Sequence, residues 1–466
     1  MYLEILRENL TCTPIHTHDH DTDNIFISSV LSSKMHLLEF HPVTTIFVVL
    51  FVLSFSIISI SPNLLFLCAK GRKAKDIKNK TFIYQSLQQA RVILNGSSDG
   101  KFRRFEDIST ILKSRAEPNS RLIRAFGIDN AFTTSDPQHH RDFVNRASDL
   151  LNLSNSRWKS LAKHIDTLVK GNVERQRISS FDGHSRTVIF SRLLQITVLR
   201  AVLSVLFPNC GTPQLSEEEQ DSIAYEVAEK ITSLWIESKS TEITSNPRDL
   251  ESLMEACQKL LPGIDTRVEN PLNLILPAFE TLWRIVLRGF LEVQFRDKEN
   301  FALNKSLFSE YLASPTSTVF MREDTRGVSV SHIINESLRL YPPTKRVYRK
   351  IQTESTQPDV AIDIEQIHRD PETWGSDVNT FRPSRWRKSE MDRTIAAAFI
   401  PFGMMPLVCP ARKIFGPRII GIFVAALLGA ISELGELDVV GAMVEDEVLL
   451  ENGRNSYGEM GMRSRK

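Results

Sequence analysis

A mainly α-helical domain with a small β region, preceded by one N-terminal transmembrane helix, is the fold class this sequence predicts. Three observations carry it. From Phe40 to Ala69 the chain holds no Asp, Glu, Lys or Arg. Apolar residues in the body recur mostly at helical spacing. Strand signals are scarce before residue 347.

The core of the charge-free stretch, Thr44–Ser61, is long enough to cross a bilayer. Lys70, Arg72, Lys73 and Lys75 follow it, and positive charge on that flank puts the larger body in the cytosol. Residues 1–43 read as an N-terminal tail, 44–68 as the anchor and 70–466 as the domain. The tail carries His16, His18 and His20 near Cys12, a tract that also reads as plain disordered polar chain. Met35 stands just ahead of the anchor, so residues 1–34 are expected to be absent from the mature protein.

The 466 residues are 42 % hydrophobic, ample for a large core, and the net charge of +1 gives no field that would gather nucleic acid. The five cysteines are scattered and form no CxxC pair, which argues against a disulfide framework. Residues 70–120 read as basic and polar, with a loop from Asn95. Helical spacing runs over 141–170, with Trp158, Leu161, Ile165 and Leu168 on one face. Helices follow over Phe190–Leu206 and Glu217–Trp235, the second capped by Ser216. Leu272–Val293 is apolar nearly all round and belongs in the middle of the domain. Within it Pro277 cannot donate to the carbonyl of Asn273, so the helix should kink or open there. Glu280 and Thr281 follow directly; Glu280 could pair with Arg284 and Thr281 could bond back to its own helix.

Later motifs are more specific. Glu336 and Arg339 are three apart on a helix that Pro342-Pro343 terminates, so they share a face. Next come His368-Arg-Asp-Pro-Glu-Thr-Trp374 and Phe381-Arg-Pro-Ser-Arg385-Trp386. Arg385 docked on Glu336 would make a three-member buried network. Phe402-Gly-Met-Met-Pro-Leu-Val-Cys409 then puts a cysteine at a loop-to-helix junction, ahead of an apolar run from Ile414 to Leu428. Backbone N–H groups and a helix dipole there would favour the thiolate, which suits axial ligation of haem iron.

In that order, over roughly residues 120–430, these motifs resemble those of the cytochrome P-450 family, the haem-thiolate monooxygenases, especially its fungal microsomal members. The resemblance implies haem b (iron protoporphyrin IX) ligated by Cys409, with Phe402 packed beside the haem and sulfur. It implies Glu280 and Thr281 as the distal acid–alcohol pair that delivers protons. Glu336, Arg339 and Arg385 match the network near the cysteine loop. The loop departs from the family pattern at Met405 and Leu407, where a glycine and a basic residue are usual. Lys345, Arg346 or Arg412 could replace the missing haem-propionate partner, with Arg346 taken forward; His140-Arg141 is an alternative to the Trp158-x-x-x-Ala162 segment.

The activity implied is insertion of one oxygen atom from O2 into a small apolar organic substrate in secondary metabolism, with electrons from an NADPH–cytochrome reductase. The location implied is the endoplasmic reticulum membrane, single-pass, with the catalytic body cytosolic. Arg412, Lys413 and Arg418 are a candidate docking patch for an acidic reductase. Two other readings stay open: a haem-thiolate isomerase or dehydratase needing no external electrons, and a scaffold that has lost haem. Peptide mass analysis of the purified protein is expected to find nothing from Met1–Lys34; a peptide from that stretch would overturn the start at Met35.

Overall fold

We describe a computed structural model of the chain. It describes residues 81–95, 107–179, 187–240, 247–350, 359–435, 437–441, 444, 448–453 and 456–464, all within a compact unit, Thr81–Lys466. The tail, the His16–His20 tract, Met35 and the expected anchor at 44–68 lie outside the described residues.

Helices form largely where apolar spacing places them. In chain order they are α1 (Leu87–Asn95), α2 (Ile108–Phe126), α3 (Pro137–Leu151), α4 (Asn155–Ser179), α5 (Phe190–Leu206), α6 (Glu217–Glu237), α7 (Pro247–Leu260) and α8 (Leu272–Leu291). They continue as α9 (Phe301–Ala313), α10 (Ser317–Met321), α11 (Val330–Leu340), α12 (Ile364–Ile367), α13 (Pro371–Trp374), α14 (Arg393–Ala398) and α15 (Phe415–Ser432). Strands β1 (Phe82–Tyr84), β4 (Asp359–Asp363) and β3 (Arg346–Lys350) make one sheet in that spatial order, β1 parallel and β3 antiparallel to β4. Strands β2 (Thr187–Ile189), β6 (Gly461–Ser464) and β5 (Leu437–Val440) make a second, antiparallel one. The expected mainly α domain with a small β region is what the described residues form.

Local chemistry explains the boundaries. Ser216 caps α6 in a reciprocal capping box with Glu219, as its position suggested. The single helical stretch expected over 141–170 is two helices. Asp136 caps the first, with Pro137 at its first position, and the chain leaves helix at Asn152 (φ −84°, ψ 79°). Ser154 then accepts from Arg157 N at 3.3 Å, and the second begins. Trp158, Leu161, Ile165 and Leu168 are all buried on it. The polar stretch before residue 120 holds α2, which accommodates Pro118 and ends at Gly127 in the left-handed region (φ 61°).

The apolar run after Cys409 becomes α15, and α4, α8, α9 and α11 pack around it. The order expected for a membrane-length helix is corrected here. Among the described residues, the one helix long and apolar enough to cross a membrane is α15, near the C-terminus rather than ahead of the domain. It is 83 % buried inside the protein, which is the environment of a core helix. Length and hydropathy are shared by both kinds of helix, and only the neighbours separate them.

Close packing on α15 depends on a missing side chain. A Cβ at Gly421 would lie 3.1 Å from Tyr311, 3.2 Å from Val330 and 3.3 Å from Phe320. Gly421→Val is therefore expected to cost about 1–3 kcal/mol of stability through overpacking. Urea unfolding of the variant checks it, and an unchanged midpoint would contradict the packing.

Candidate active site

The cysteine loop is held by its own backbone. Gly403 turns in the left-handed region (φ 77°) and donates to Ile400 O at 3.0 Å. Leu407 N donates to Met404 O at 3.1 Å, and Cys409 N returns to Phe402 O at 2.9 Å. Phe402 and Cys409, seven residues apart, are thereby brought together. The Phe402 ring lies against the first turn of α15, where a Cβ at Gly416 would fall 2.8 Å from it. A larger residue at 416 would displace the ring.

Cys409 leads into a three-residue 3-10 turn, Pro410–Arg412, before α15 begins. The residue is exposed, while surrounding protein desolvates the sulfur and pushes the thiol pKa up; the Ala411 N–H, bonded to it, pulls the other way. The expected helix-dipole activation is not what governs this sulfur, because the intervening turn is short and burial dominates. Metal coordination, which deprotonates a ligating thiol outright, is the chemistry that would yield the thiolate.

Glu336, Arg339 and Arg385 form the expected network, fully buried. Arg339 grips both carboxylate oxygens of Glu336, Nε to Oε2 at 2.9 Å and Nη2 to Oε1 at 2.7 Å. Arg385 Nε approaches Oε1 at 3.4 Å, and Arg382 N and Trp386 Nε1 donate at 3.0 Å each. The arginines reach onward to the loops: Arg339 to His368 O and Val378 O, Arg385 to Trp374 O and Asp377 Oδ1. His368 connects this cluster to the cysteine loop. Ile400 N donates to its Nε2 at 3.0 Å, so the ring proton sits on Nδ1 and is donated to Arg339 O at 3.1 Å. Burial, and then Arg339, lower the His368 pKa to about 3.

On α8, the carbonyl of Asn273 that Pro277 leaves free accepts from Asn130 Nδ2 at 3.0 Å. Asn273 Oδ1 in turn accepts from Asp129 N at 2.8 Å. The broken rung thus fastens the helix to the loop after α2. Glu280 is buried, and Thr281 Oγ1 donates to Pro277 O at 3.3 Å, the local bond that was one of its two readings.

Arg346 stands apart from these groups. It pairs with Asp363 at 2.9 Å, its side chain 45 % exposed. The buried cation of β3 is Arg349, three residues on, with its pKa lowered by burial to about 10. Arg115 of α2 lies near it, lowered to about 9 by burial and then by Arg349. His140 of α3 completes the group, lowered to about 4 by burial and then by Arg115. The Nε atoms of Arg115 and Arg349 are both buried without a hydrogen-bond partner among the described residues. Like charges gathered with unused donors fit a ligand that presents carboxylates, and the two acid arms of haem are of that kind. The flank of α3 packs on the turn after Cys409, so the cation group and the thiol belong to one region. Strand alternation carried the signal for Arg349: with Arg346 facing out, period two leaves Val347 and Arg349 on the other face. Arg115 sits in no motif. Arg418, expected at a docking surface, is buried over the Trp158 ring at 4.1 Å and bonds Ser317 Oγ; Arg412 and Lys413 remain exposed.

Residues 330–428 match the family model described as Cytochrome P450. A stretch of 90 residues is 39 % identical to echinocystic acid 23-monooxygenase of Saponaria officinalis, covering 17 % of each chain. A stretch of 113 residues is 30 % identical to cytochrome P450 714A2 of Arabidopsis thaliana, covering 22 % of this chain and 21 % of that one. The matched segment thus spans about a fifth or less of these curated relatives. The crystal structure of a cytochrome P450DA mutant heme domain superposes with a TM-score of 0.51 at 16 % identity, over 76 % of this chain and 83 % of that one, a likeness of fold.

Removing the acceptor at the centre of the network leaves two buried guanidiniums without their counter-ion. Glu336→Ala should lose about 3–5 kcal/mol, read by denaturant unfolding or as loss of soluble protein. A variant as stable as the parent would show that the network is dispensable. For His368 the sign follows from its depressed pKa. Between about 6.5 and about 3 the unfolded imidazole takes a proton that the folded one refuses. Stability is therefore complete above pH 6.5 and falls as pH drops, by up to about 1.4 kcal/mol per unit. His140 adds to the same window. His368→Gln should flatten that part of a stability–pH profile measured in urea.

Proposed function

We propose that this chain is a member of the cytochrome P450 superfamily, whose family model residues 330–428 match, and that it is a haem-dependent monooxygenase. The reaction proposed is insertion of one oxygen atom from O2 into an apolar organic substrate, in secondary metabolism, with electrons from an NADPH–cytochrome reductase. The observation that carries the reading is the Cys409 thiol, desolvated by surrounding protein with the Ala411 N–H on its sulfur, at the end of a loop that His368 ties to the Glu336 network.

Haem b, when bound, supplies the oxygen-activating chemistry. The chain supplies the surroundings. Cys409 would hold the metal, and the Ala411 N–H would moderate the charge on sulfur. Phe402, lodged against Gly416, would close the space beside the sulfur against water. Arg115 and Arg349 would take the carboxylates, the part first assigned to Arg346, and would stand in for the basic residue replaced by Leu407. Thr281 Oγ1 would exchange its bond to Pro277 O for a water, holding a proton where Glu280 can resupply it. Arg412 and Lys413 remain as cations for a reductase to meet. The endoplasmic reticulum membrane, with this domain in the cytosol, is the setting proposed because such a reductase would be met there.

The test is spectroscopic. The full chain, expressed with ample haem precursor, is reduced and exposed to carbon monoxide. A Soret band at the long-wavelength thiolate position is expected. Cys409→Ala should abolish it, and Arg349→Leu should release haem more readily during gel filtration. Colourless wild-type protein would falsify the proposal.

A further inference from the structure

Helix α8 is buried along its length except at Asn273, Pro277, Ala278 and Thr281. Asn273, Pro277 and Thr281 are each one helical turn apart, so the strip that stays partly accessible runs along one face. Thr281 Oγ1 donates to Pro277 O at 3.3 Å, one turn back. One turn further back is the carbonyl of Asn273, which Pro277 cannot serve for want of an N–H. The proline ring also crowds that carbonyl and pushes it out of line with the helix.

The donor that meets this carbonyl is Asn130, in the loop between α2 and α3, with Nδ2 at 3.0 Å. Asn130 is 0 % exposed, and local bonds fix the direction of its amide. Its Oδ1 accepts from Phe132 N at 2.9 Å, its N–H donates to Thr133 Oγ1 at 3.0 Å, and its carbonyl accepts from Thr133 N and Thr134 N at 3.0 and 3.1 Å. The neighbouring backbone is fastened as well. Asp129 N donates to Asn273 Oδ1 at 2.8 Å, and Asn270 Nδ2 reaches Phe126 O and Gly127 O at 2.8 and 3.1 Å. Arg115 holds Ala131 O from the other side. A loop held this closely has little freedom, so the bend that Pro277 permits in α8 takes the direction Asn130 gives it.

We propose that Asn130 is a positioning residue for the reaction. It replaces the rung that Pro277 breaks, sets the tilt of α8 there, and so places the Thr281 hydroxyl one turn on. This rests on the proposed function, in which Thr281 holds a proton, and adds to it a residue that no sequence motif marks. An intact rung would hold the Asn273 carbonyl along the helix axis; an amide from outside the helix holds it tilted. Arg115, proposed to take a haem carboxylate, braces the same loop through Ala131 O, so the seat of the cofactor and the hydroxyl share one support.

Two measurements on the full chain test it. The first is urea unfolding. Asn130→Ala should raise the unfolding equilibrium constant about tenfold, because a buried carbonyl loses its donor. In Pro277→Ala the restored N–H serves that carbonyl, and Asn130→Ala should then raise the constant only about threefold. Loss of the Phe132 N acceptor is common to both backgrounds and drops out of the comparison. If Asn130→Ala alone gives no soluble protein, Pro277→Ala in the same chain should restore it; a double variant that stays insoluble overturns the inference. The second is the infrared C–O stretching band of the reduced protein under carbon monoxide, with Thr281→Val as the reference displacement. Asn130→Ala should displace or split the band in the same sense, and no further once Thr281 is valine. An equal unfolding effect in both Pro277 backgrounds, or a band that Asn130→Ala leaves unmoved, overturns the inference. So does an equal displacement with and without the Thr281 hydroxyl, or a band that Thr281→Val does not move. Colourless wild-type protein in which the unfolding coupling holds sinks the monooxygenase reading and leaves the Asn130 brace standing; coloured protein without that coupling sinks this inference alone.

Discussion

One buried carboxylate organises the part of this protein that carries its chemistry. Glu336 accepts from Arg339, Arg385, the Arg382 backbone and the Trp386 indole, with none of it in water. A carboxylate so placed is stable only if its donors arrive together, and they come from two separate stretches of chain, α11 and residues 382–386. The network therefore specifies loop packing more than it adds net stability. Its guanidiniums pass the constraint on to the carbonyls of His368, Trp374 and Val378, and His368 passes it to Ile400, two residues before Phe402. The cysteine loop inherits its position from a salt bridge far from the sulfur.

Helix α8 uses a broken bond in the same way. Pro277 frees the carbonyl of Asn273, and a freed buried carbonyl must find a donor. Asn130 supplies it, from the loop after α2. That loop also offers Ala131 O to Arg115. One helix defect thus fixes α8 and the Arg115 group relative to each other. The cation group and the thiol are each costly on their own: unused guanidinium donors and a desolvated sulfur. Together they describe surroundings prepared for a ligand with negative groups and a metal, which is the physical content of the proposed haem site.

Much of this was legible in the residues. Glu336 with Arg339 and Arg385 could be read because i,i+3 spacing, a terminating Pro-Pro and an arginine at a tryptophan-flanked turn are local patterns. Ser216 as a cap and α8 as a central apolar helix were legible for the same reason. Arg349 was missed although strand alternation pointed to it, because the choice fell on the first basic residue after the helix. Arg115 could not have been found, since a lone arginine in a polar helix has no sequence mark of burial. Arg418 was misread as surface for the converse reason: its partners, Trp158, Tyr311 and Ser317, are between 101 and 260 residues away.

The sequence by itself determined the helices α5, α6, α8, α11 and α15, the Ser216 cap, the pairing of Glu336 with Arg339 and the place of the cysteine, because each depends on residues within a few turns of one another. Tertiary structure alone decided which charges are buried and which are compensated. It paired Arg346 with Asp363, buried Arg418 over Trp158, and enclosed the one membrane-length helix among the described residues in the core. The reason is physical: hydrogen-bond geometry and helix periodicity are short-ranged, whereas desolvation depends on whatever distant segments the fold brings alongside.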